Sequence, residues 1–296
     1  MERLTARDFD PAVLKLFDQY VHGQLSRRGF LDGAARYTTV GTTAAGLLAA
    51  LSPAFAAAQQ VSPTDARIRT SHIEVPSPLG NGVVKGLLAQ PAQACEKVQA
   101  VLVVHENRGL NPHIEDVARR FAVEGFTAFA PDALAPLGGY PGDEDKARDL
   151  FARLDQTRAR EDFVAAHAHL KTLAGSATRV GAVGFCYGGT IVSHLATRLP
   201  DLAGGVPFYG GAPAAAEVAR IRSPLLLHYA GDDERINAGW PAYEAALKTA
   251  GVAYEVHVYP GVQHGFHNDT TPRYDDASAK LAWQRTLAFF RRTLAA

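Results

Sequence analysis

Six short, largely apolar runs, separated by helical stretches, constrain this chain more than any other feature. They are Ala100 to Val104, Thr127 to Ala130, Val180 to Gly184, Gly205 to Phe208, Leu225 to Tyr229 and Tyr254 to Tyr259. A strand with no polar alternation has to be covered on both faces, as in a parallel sheet. Helical periodicity occupies the intervals, at about 113–124, 144–153, 160–174, 187–199, 238–250 and 273–294. This alternation predicts an α/β domain, a mostly parallel sheet with helices on both faces. Upstream, Ile68 to Val75 and Val83 to Ala89 alternate in polarity around Gly80-Asn81-Gly82. That pattern predicts an antiparallel hairpin at a sheet edge.

The 296 residues suffice for one large core, and the 30 basic and 30 acidic side chains cancel. A nucleic-acid partner usually requires a basic excess, which is missing here. The cysteines are Cys95 and Cys186 only, so there is no disulfide framework. Cys95 precedes the strand at 100–104, whereas Cys186 follows its strand, at the opposite edge of the sheet. A strand of six residues spans roughly 20 Å, and bonded cysteines keep their Cα atoms within about 7 Å. No bridge between them is expected.

Residues 1–60 differ from the domain expected over 66–296. Ser26-Arg27-Arg28-Gly29-Phe30-Leu31 has the form of a twin-arginine export signal. A weakly apolar stretch from Tyr37 to Ala58 follows, ending in small-x-small triplets, and it is too short and interrupted for a stable membrane span. This reading expects a cleaved leader and a periplasmic protein. The alternative is a retained, amphipathic helical arm on a cytoplasmic protein, because Val13, Leu14, Phe17, Tyr20 and Val21 fall on one helical face. The Ala- and Pro-rich stretch from Ser52 to Pro63 is read as the linker.

Chemistry gathers where strands end. Gly184-Phe185-Cys186-Tyr187-Gly188-Gly189 lies between a buried strand and a helix, which is the place of a nucleophile elbow with cysteine as nucleophile. Glycines permit so tight a turn, and the following helix start supplies free N–H groups and favours a thiolate. The bland alternative is a buried cysteine at a glycine-rich turn. In chain order an acid and then a histidine should follow. Asp233 and His264 sit after later strands at the same sheet edge; Asp232 competes with Asp233, but Asp233-Glu234-Arg235-Ile236 better fits an acid loop. Glu106, in His105-Glu106-Asn107-Arg108-Gly109 after the strand at 100–104, places a further carboxylate near the nucleophile. The histidines at 264 and 267 lack a recognisable set of co-ligands, so no metal site is expected. The glycine run does not have the order of a dinucleotide fingerprint, and no cofactor is expected.

Together these motifs, with His264-Gly265-Phe266, resemble the dienelactone hydrolase family over roughly residues 66–296. The longer phrase Leu226-Leu227-His228-Tyr229-Ala230-Gly231-Asp232-Asp233 with Gly239-Trp240-Pro241 is closest to its leader-bearing bacterial branch. The resemblance implies an α/β-hydrolase fold and a hydrolase that cleaves a small ester or lactone. It implies a Cys186-His264-Asp233 triad, assisted by Glu106 beside the resting cysteine, and an acyl-cysteine intermediate. The backbone N–H groups of Tyr187 and Asn107 would form the oxyanion hole. Acyl transfer or thioester chemistry on the same triad is a second reading; a ligand-binding or redox-sensing domain built on Cys186 is a third. The sequence also departs from the family. Pro131-Asp132-Ala133-Leu134-Ala135-Pro136-Leu137 lacks a carboxylate-binding arginine, and His267-Asn268 stands where a second would be. A neutral substrate is therefore at least as well suited as dienelactone, unless Arg108 or Arg273 compensates. Nothing in the sequence specifies an oligomeric state.

Overall fold

The computed structural model describes residues 3–39, 41–93, 99–173 and 179–295; Cys95 lies outside them, so its pairing is not addressed. Eight strands form one sheet: β1 Ile68–Ser77, β2 Gly82–Pro91, β3 Ala100–Val104, β4 Thr127–Pro131, β5 Val180–Phe185, β6 Gly204–Phe208, β7 Leu225–Asp232 and β8 Tyr254–Gln263. Their order is β1-β2-β4-β3-β5-β6-β7-β8. The β1–β2 hairpin is antiparallel and lies at one edge, as expected, and β2 also runs antiparallel to β4. All remaining pairs are parallel.

The helices are α1 Pro11–Val21, α2 Arg27–Ala34, α3 Ala44–Leu51, α4 Phe55–Ala58, α5 Pro112–Val123, α6 Glu144–Phe151, α7 Gln156–Thr172, α8 Tyr187–Arg198, α9 Ala215–Val218, α10 Glu234–Asn237, α11 Trp240–Ala250 and α12 Asp276–Thr293. Their starts follow capping chemistry more than periodicity. Asp155 accepts from the N–H groups of Thr157 and Arg158, which brings the start of α7 forward. Asp275 accepts from Ser278 N–H, so α12 begins there and leaves 264–274 as a loop.

Alternation along β3 explains how both faces are covered. Val101 and Val103 pack in the cluster that holds Phe121 of α5 and Phe290 of α12. Leu102 and Val104 join Phe163 of α7 and Leu195 of α8 in the other. All of these side chains are buried. Each large apolar side chain buried in this way contributes about 1.5–3 kcal/mol relative to exposure. These two cores hold the strand ends in a fixed row, and that row carries the site.

The N-terminal segment has a small core of its own, in which Val13, Leu14, Phe17 and Tyr20 of α1 meet Phe30 of α2 and Leu51 of α3. The face read as amphipathic is the face that is buried. The Ser26 hydroxyl caps α2 by accepting from Gly29 N–H, and Phe30 is fully buried. Arg27 of the same run pairs with Asp145 of α6 at 2.8 Å. Residues 52–63, read as a linker, are tied to the domain through three backbone donors. Ala54 N–H donates to the Thr270 carbonyl at 2.8 Å, and Gln60 and Val61 N–H donate to the Asp116 carboxylate at 3.0 and 2.8 Å. Arg3 reaches the carbonyls of Asp269 and Thr271. No helix among the described residues is long and apolar enough to cross a membrane.

Candidate active site

The residues of the expected triad, Glu106 and the two expected oxyanion donors each follow a strand at its carboxyl end. Glu106 and Asn107 follow β3, Cys186 and Tyr187 follow β5, Asp233 follows β7 and His264 follows β8. Ligands of open α/β sheets bind beyond this edge.

Cys186 has φ 55° and ψ −111°, a backbone region that side chains rarely occupy. A residue held there costs of order 1–3 kcal/mol and persists only where its surroundings enforce it. The enforcement is visible. Cys186 N–H donates to the Phe208 carbonyl at 3.0 Å. A Cβ on Gly184 would lie 2.2 Å from the Gly188 carbonyl oxygen, and one on Gly188 would lie 2.2 Å from the Val104 carbonyl oxygen. Only glycine lets the start of α8 close so tightly over β5 and β3. Tyr187 opens α8, so its N–H is among those without a partner inside the helix.

His264 and Asp233 are joined, Nδ1 to Oδ2, at 2.5 Å, and both are buried. Asp232 is exposed and takes no such part. Asp233 also caps α10 through Ile236 N–H at 3.3 Å, which fixes its orientation. Burial raises its carboxyl, but the bond to His264, the charges of His264 and Arg235 and the Ile236 N–H together outweigh this and hold it below the usual range. His264 Nε2 is buried without a hydrogen-bond partner. Its ring is lowered by burial but raised more by Cys186 and Asp233, so it binds its proton more tightly than a free histidine.

A cavity of about 400 Å³ opens over Cys186, His264, Glu106, Arg108 and Arg273. Glu106 is on its wall, where Oε2 accepts from Asn268 Nδ2 at 2.7 Å. The resemblance places this glutamate against the resting cysteine; here Asn268 holds it, and the sulfur is bonded elsewhere. Arg108 and Arg273 both reach the cavity, and both are engaged. Arg108 donates to the carbonyls of Val21 and Asn107 at 3.1 and 2.9 Å and faces Glu144 at 3.7 Å. Arg273 pairs with Asp18 at 3.3 Å. His267 lies away from the cavity, stacked on Phe185 at 5.1 Å, and burial lowers it to about 3.

The N-terminal segment supplies a further part of the cavity wall, including Phe17, Tyr20, His22 and Phe55, beside Tyr140 and Glu144 of the domain. His22 Nε2 lies 3.5 Å from Cys186 Sγ, and its Nδ1 lies 2.8 Å from the Asp18 carbonyl and 3.3 Å from Asp18 Oδ1. The His22 and His264 rings meet edge to face at 4.8 Å. Burial raises the Cys186 thiol, but the two histidines outweigh it and lower it to about 6. Ligand atoms of His22, Cys186 and His264 lie within 4.8 Å of one another, close enough to share a cation. The guanidinium of Arg235 already brings positive charge there, 3.0 Å from His22 Nε2 and 3.3 Å from His264 Nδ1. Sequence reasoning missed Asp18 and His22. Their signal was the helical row Leu14-Asp18-His22, a polar extension of the apolar face of α1.

A family model described as the dienelactone hydrolase family matches residues 84–294, and one described as YqhI-like matches residues 1–37. Over 274 residues the chain is 31% identical to a Methylorubrum extorquens protein provisionally named carboxymethylenebutenolidase, spanning 87% of this chain and 93% of that one. It is 53% identical over 115 residues to a provisionally named hydrolase fragment, YghX, of Escherichia coli K12, spanning 39% of this chain and 98% of the fragment. A crystal structure provisionally named dienelactone hydrolase, from Klebsiella pneumoniae, superposes with a TM-score of 0.68 at 28% identity, covering 76% of this chain and 99% of that one.

Proposed function

Because the chain belongs to the dienelactone hydrolase family and is a hydrolase, we propose that it cleaves small, neutral carboxylic esters or lactones through an acyl-cysteine on Cys186. The observation that carries this reading is the 2.5 Å bond between Asp233 and His264, beside a cysteine held on a strained elbow. With Nδ1–H donated to Asp233, the free Nε2 of His264 is the atom available to move protons.

The cycle starts from a Cys186 thiolate and a protonated His264. The sulfur attacks the carbonyl carbon, and the carbonyl pair moves onto oxygen. The N–H groups of Tyr187 and Asn107 receive that oxyanion; losing one such donor costs on the order of 10²–10³ in rate. The C–O bond then breaks and the alkoxide leaves with the proton of His264. Neutral His264 next takes a proton from water, the resulting hydroxide attacks the acyl carbon, and the thiolate is expelled. Glu106, held by Asn268 on the wall of the same cavity, is the assisting carboxylate in this reading. Preference for neutral substrates follows from the arginines. Arg108 donates to two backbone carbonyls and faces Glu144, and Arg273 is tied to Asp18 through one nitrogen, while the Nε of each makes no hydrogen bond. A substrate carboxylate would therefore have to compete with Glu144 and Asp18 for them.

The test is turnover by the full chain across short p-nitrophenyl esters, neutral lactones and dienelactone. Neutral substrates are expected to react faster than dienelactone, and mass spectrometry of a quenched reaction should find the acyl group on the peptide that carries Cys186. No turnover of any ester or lactone would overturn the reading, and faster cleavage of dienelactone would overturn its substrate preference.

A further inference from the structure

We propose that the N-terminal segment delivers a second Asp–His dyad, Asp18–His22, to Cys186, so that two imidazoles with different duties share one sulfur. This inference rests on Cys186 being the nucleophile proposed above.

The geometry is that of a duplicated dyad. On one side stand Asp233, His264 and Cys186; on the other stand Asp18, His22 and Cys186. Nδ1 of His22 faces its own helix, towards the carbonyl and carboxylate of Asp18, which leaves Nε2 as the atom directed to sulfur. Asp18 is fixed in turn by Arg273 at 3.3 Å. His22 is the C-cap residue of α1, where a cation also meets the negative end of the helix. The same residue position is secured against the domain from several directions. Val21 carbonyl accepts from Asn107 Nδ2 at 2.8 Å and from Arg108 at 3.1 Å, so the residue next to His22 is tied to the loop that carries Glu106 and Asn107. Arg27 pairs with Asp145, and Ala54 with Thr270.

Charge accounting separates the duties of the two histidines. Asp18, Asp233, Glu106 and the thiolate supply four negative charges; His22, His264, Arg235 and Arg273, in their protonated forms, supply four positive ones. Arg235 is exposed, so its guanidinium can turn to water when Nε2 of His22 carries a proton. Burial opposes charge on His22, but the bonds to Asp18 and Cys186 outweigh it and raise it to about 10. His22 therefore carries its proton beside the resting thiolate, and in the acyl-enzyme, where the charge on sulfur is gone, Asp18 is what still favours that proton. His264 gives its proton to the leaving alkoxide and regains one from water. Acylation removes the negative charge on sulfur and deacylation restores it, so a fixed imidazolium beside Sγ favours the resting thiolate and its expulsion from the acyl-enzyme. No further proton is needed, and the balance of the cycle is unchanged.

The inference also bears on the Ser-Arg-Arg-Gly-Phe-Leu run. A chain cut after Ala58 would lose Asp18 and His22 together with their part of the cavity wall, so the proposed dyad requires that the segment be retained. That residues 1–37 match a family model of their own supports a defined role for the segment.

The experiment is alkylation of Cys186 by iodoacetamide as a function of pH, read on its own peptide by mass spectrometry, in the full chain and in the His22→Gln and Asp18→Asn variants. It needs no substrate, so it judges the dyad independently of turnover. Wild type should react with a midpoint near 6, and His22→Gln should raise that midpoint by at least about one unit, slowing alkylation below it roughly tenfold. Asp18→Asn, which preserves the side-chain shape, should shift it in the same direction. With the best ester, kcat should fall more than KM rises. An unchanged midpoint in both variants overturns the dyad, as does protein recovered from its native host that begins downstream of His22.

Discussion

Cys186→Ala retains less than about one part in 10⁴ of wild-type kcat/KM toward a short ester, because the hydroxyls of Ser52 and Thr271 on the cavity wall are not bonded to His264 and are not on the elbow. Removing a nucleophile from a working triad costs nearly as much as removing the whole triad, since its members act as a unit. Alanine occupies the same strained φ, so the elbow and its hydrogen bond to Phe208 persist, and circular dichroism melts should stay close to wild type. Initial rates on p-nitrophenyl acetate measure the effect. A variant that keeps a tenth or more of wild-type activity would mean that Cys186 is not the nucleophile.

His264→Ala loses about 10³–10⁴ in kcat, and Asp233→Asn about 10² or more, because one removes the proton carrier and the other its orienting partner. The pH dependence gives the sign. The thiol of Cys186 is held at about 6, so kcat/KM falls as pH drops through that value and the thiolate is protonated. Asp233 lies below the usual carboxylate range and keeps its charge across that window, so it does not set the acid limb. In Asp233→Asn the support for protonated His264 is weaker, and activity should begin to fall at lower pH on the alkaline side than in wild type. A pH profile of kcat/KM for both proteins decides this, and an alkaline limb that does not move would remove Asp233 from its proposed role.

Much of the domain was legible because its signals are local. Each of the six runs is a strand, extended at most by a few residues, and β3 to β7 are covered on both faces; β8, whose run carries Glu255 and His257, is instead a partly exposed strand at the sheet edge. The elbow was legible because its glycines answer a backbone requirement that Gly184 and Gly188 show directly. Asp233 could be preferred to Asp232 from its neighbours alone. The pairing of His22 with Cys186 was not legible: 164 residues separate them, and no periodicity connects one helix row to a distant sheet edge. The N-terminal run was ambiguous for a physical reason. Ser26 is a good N-cap, Phe30 a good core residue and Arg27 a good ion-pair partner, so residues that have the form of an export signal also start a packed helix.

The docking of that segment has a consequence for biosynthesis. Arg3 binds the carbonyls of Asp269 and Thr271, and Ala54 binds Thr270, so the first part of the chain to be made waits for one of the last. At about 5–20 residues per second, the delay on the ribosome is roughly 10–50 s. During that interval Phe17, Tyr20 and Phe30 can shelter in their own small cluster with Leu51, so their apolar surface need not stay open to passing chains. The cavity roof, and with it His22, falls into place only when the loop after β8 has emerged. Until then the nascent chain carries a nucleophile without its full setting, and hydrolysis begins with the completed protein.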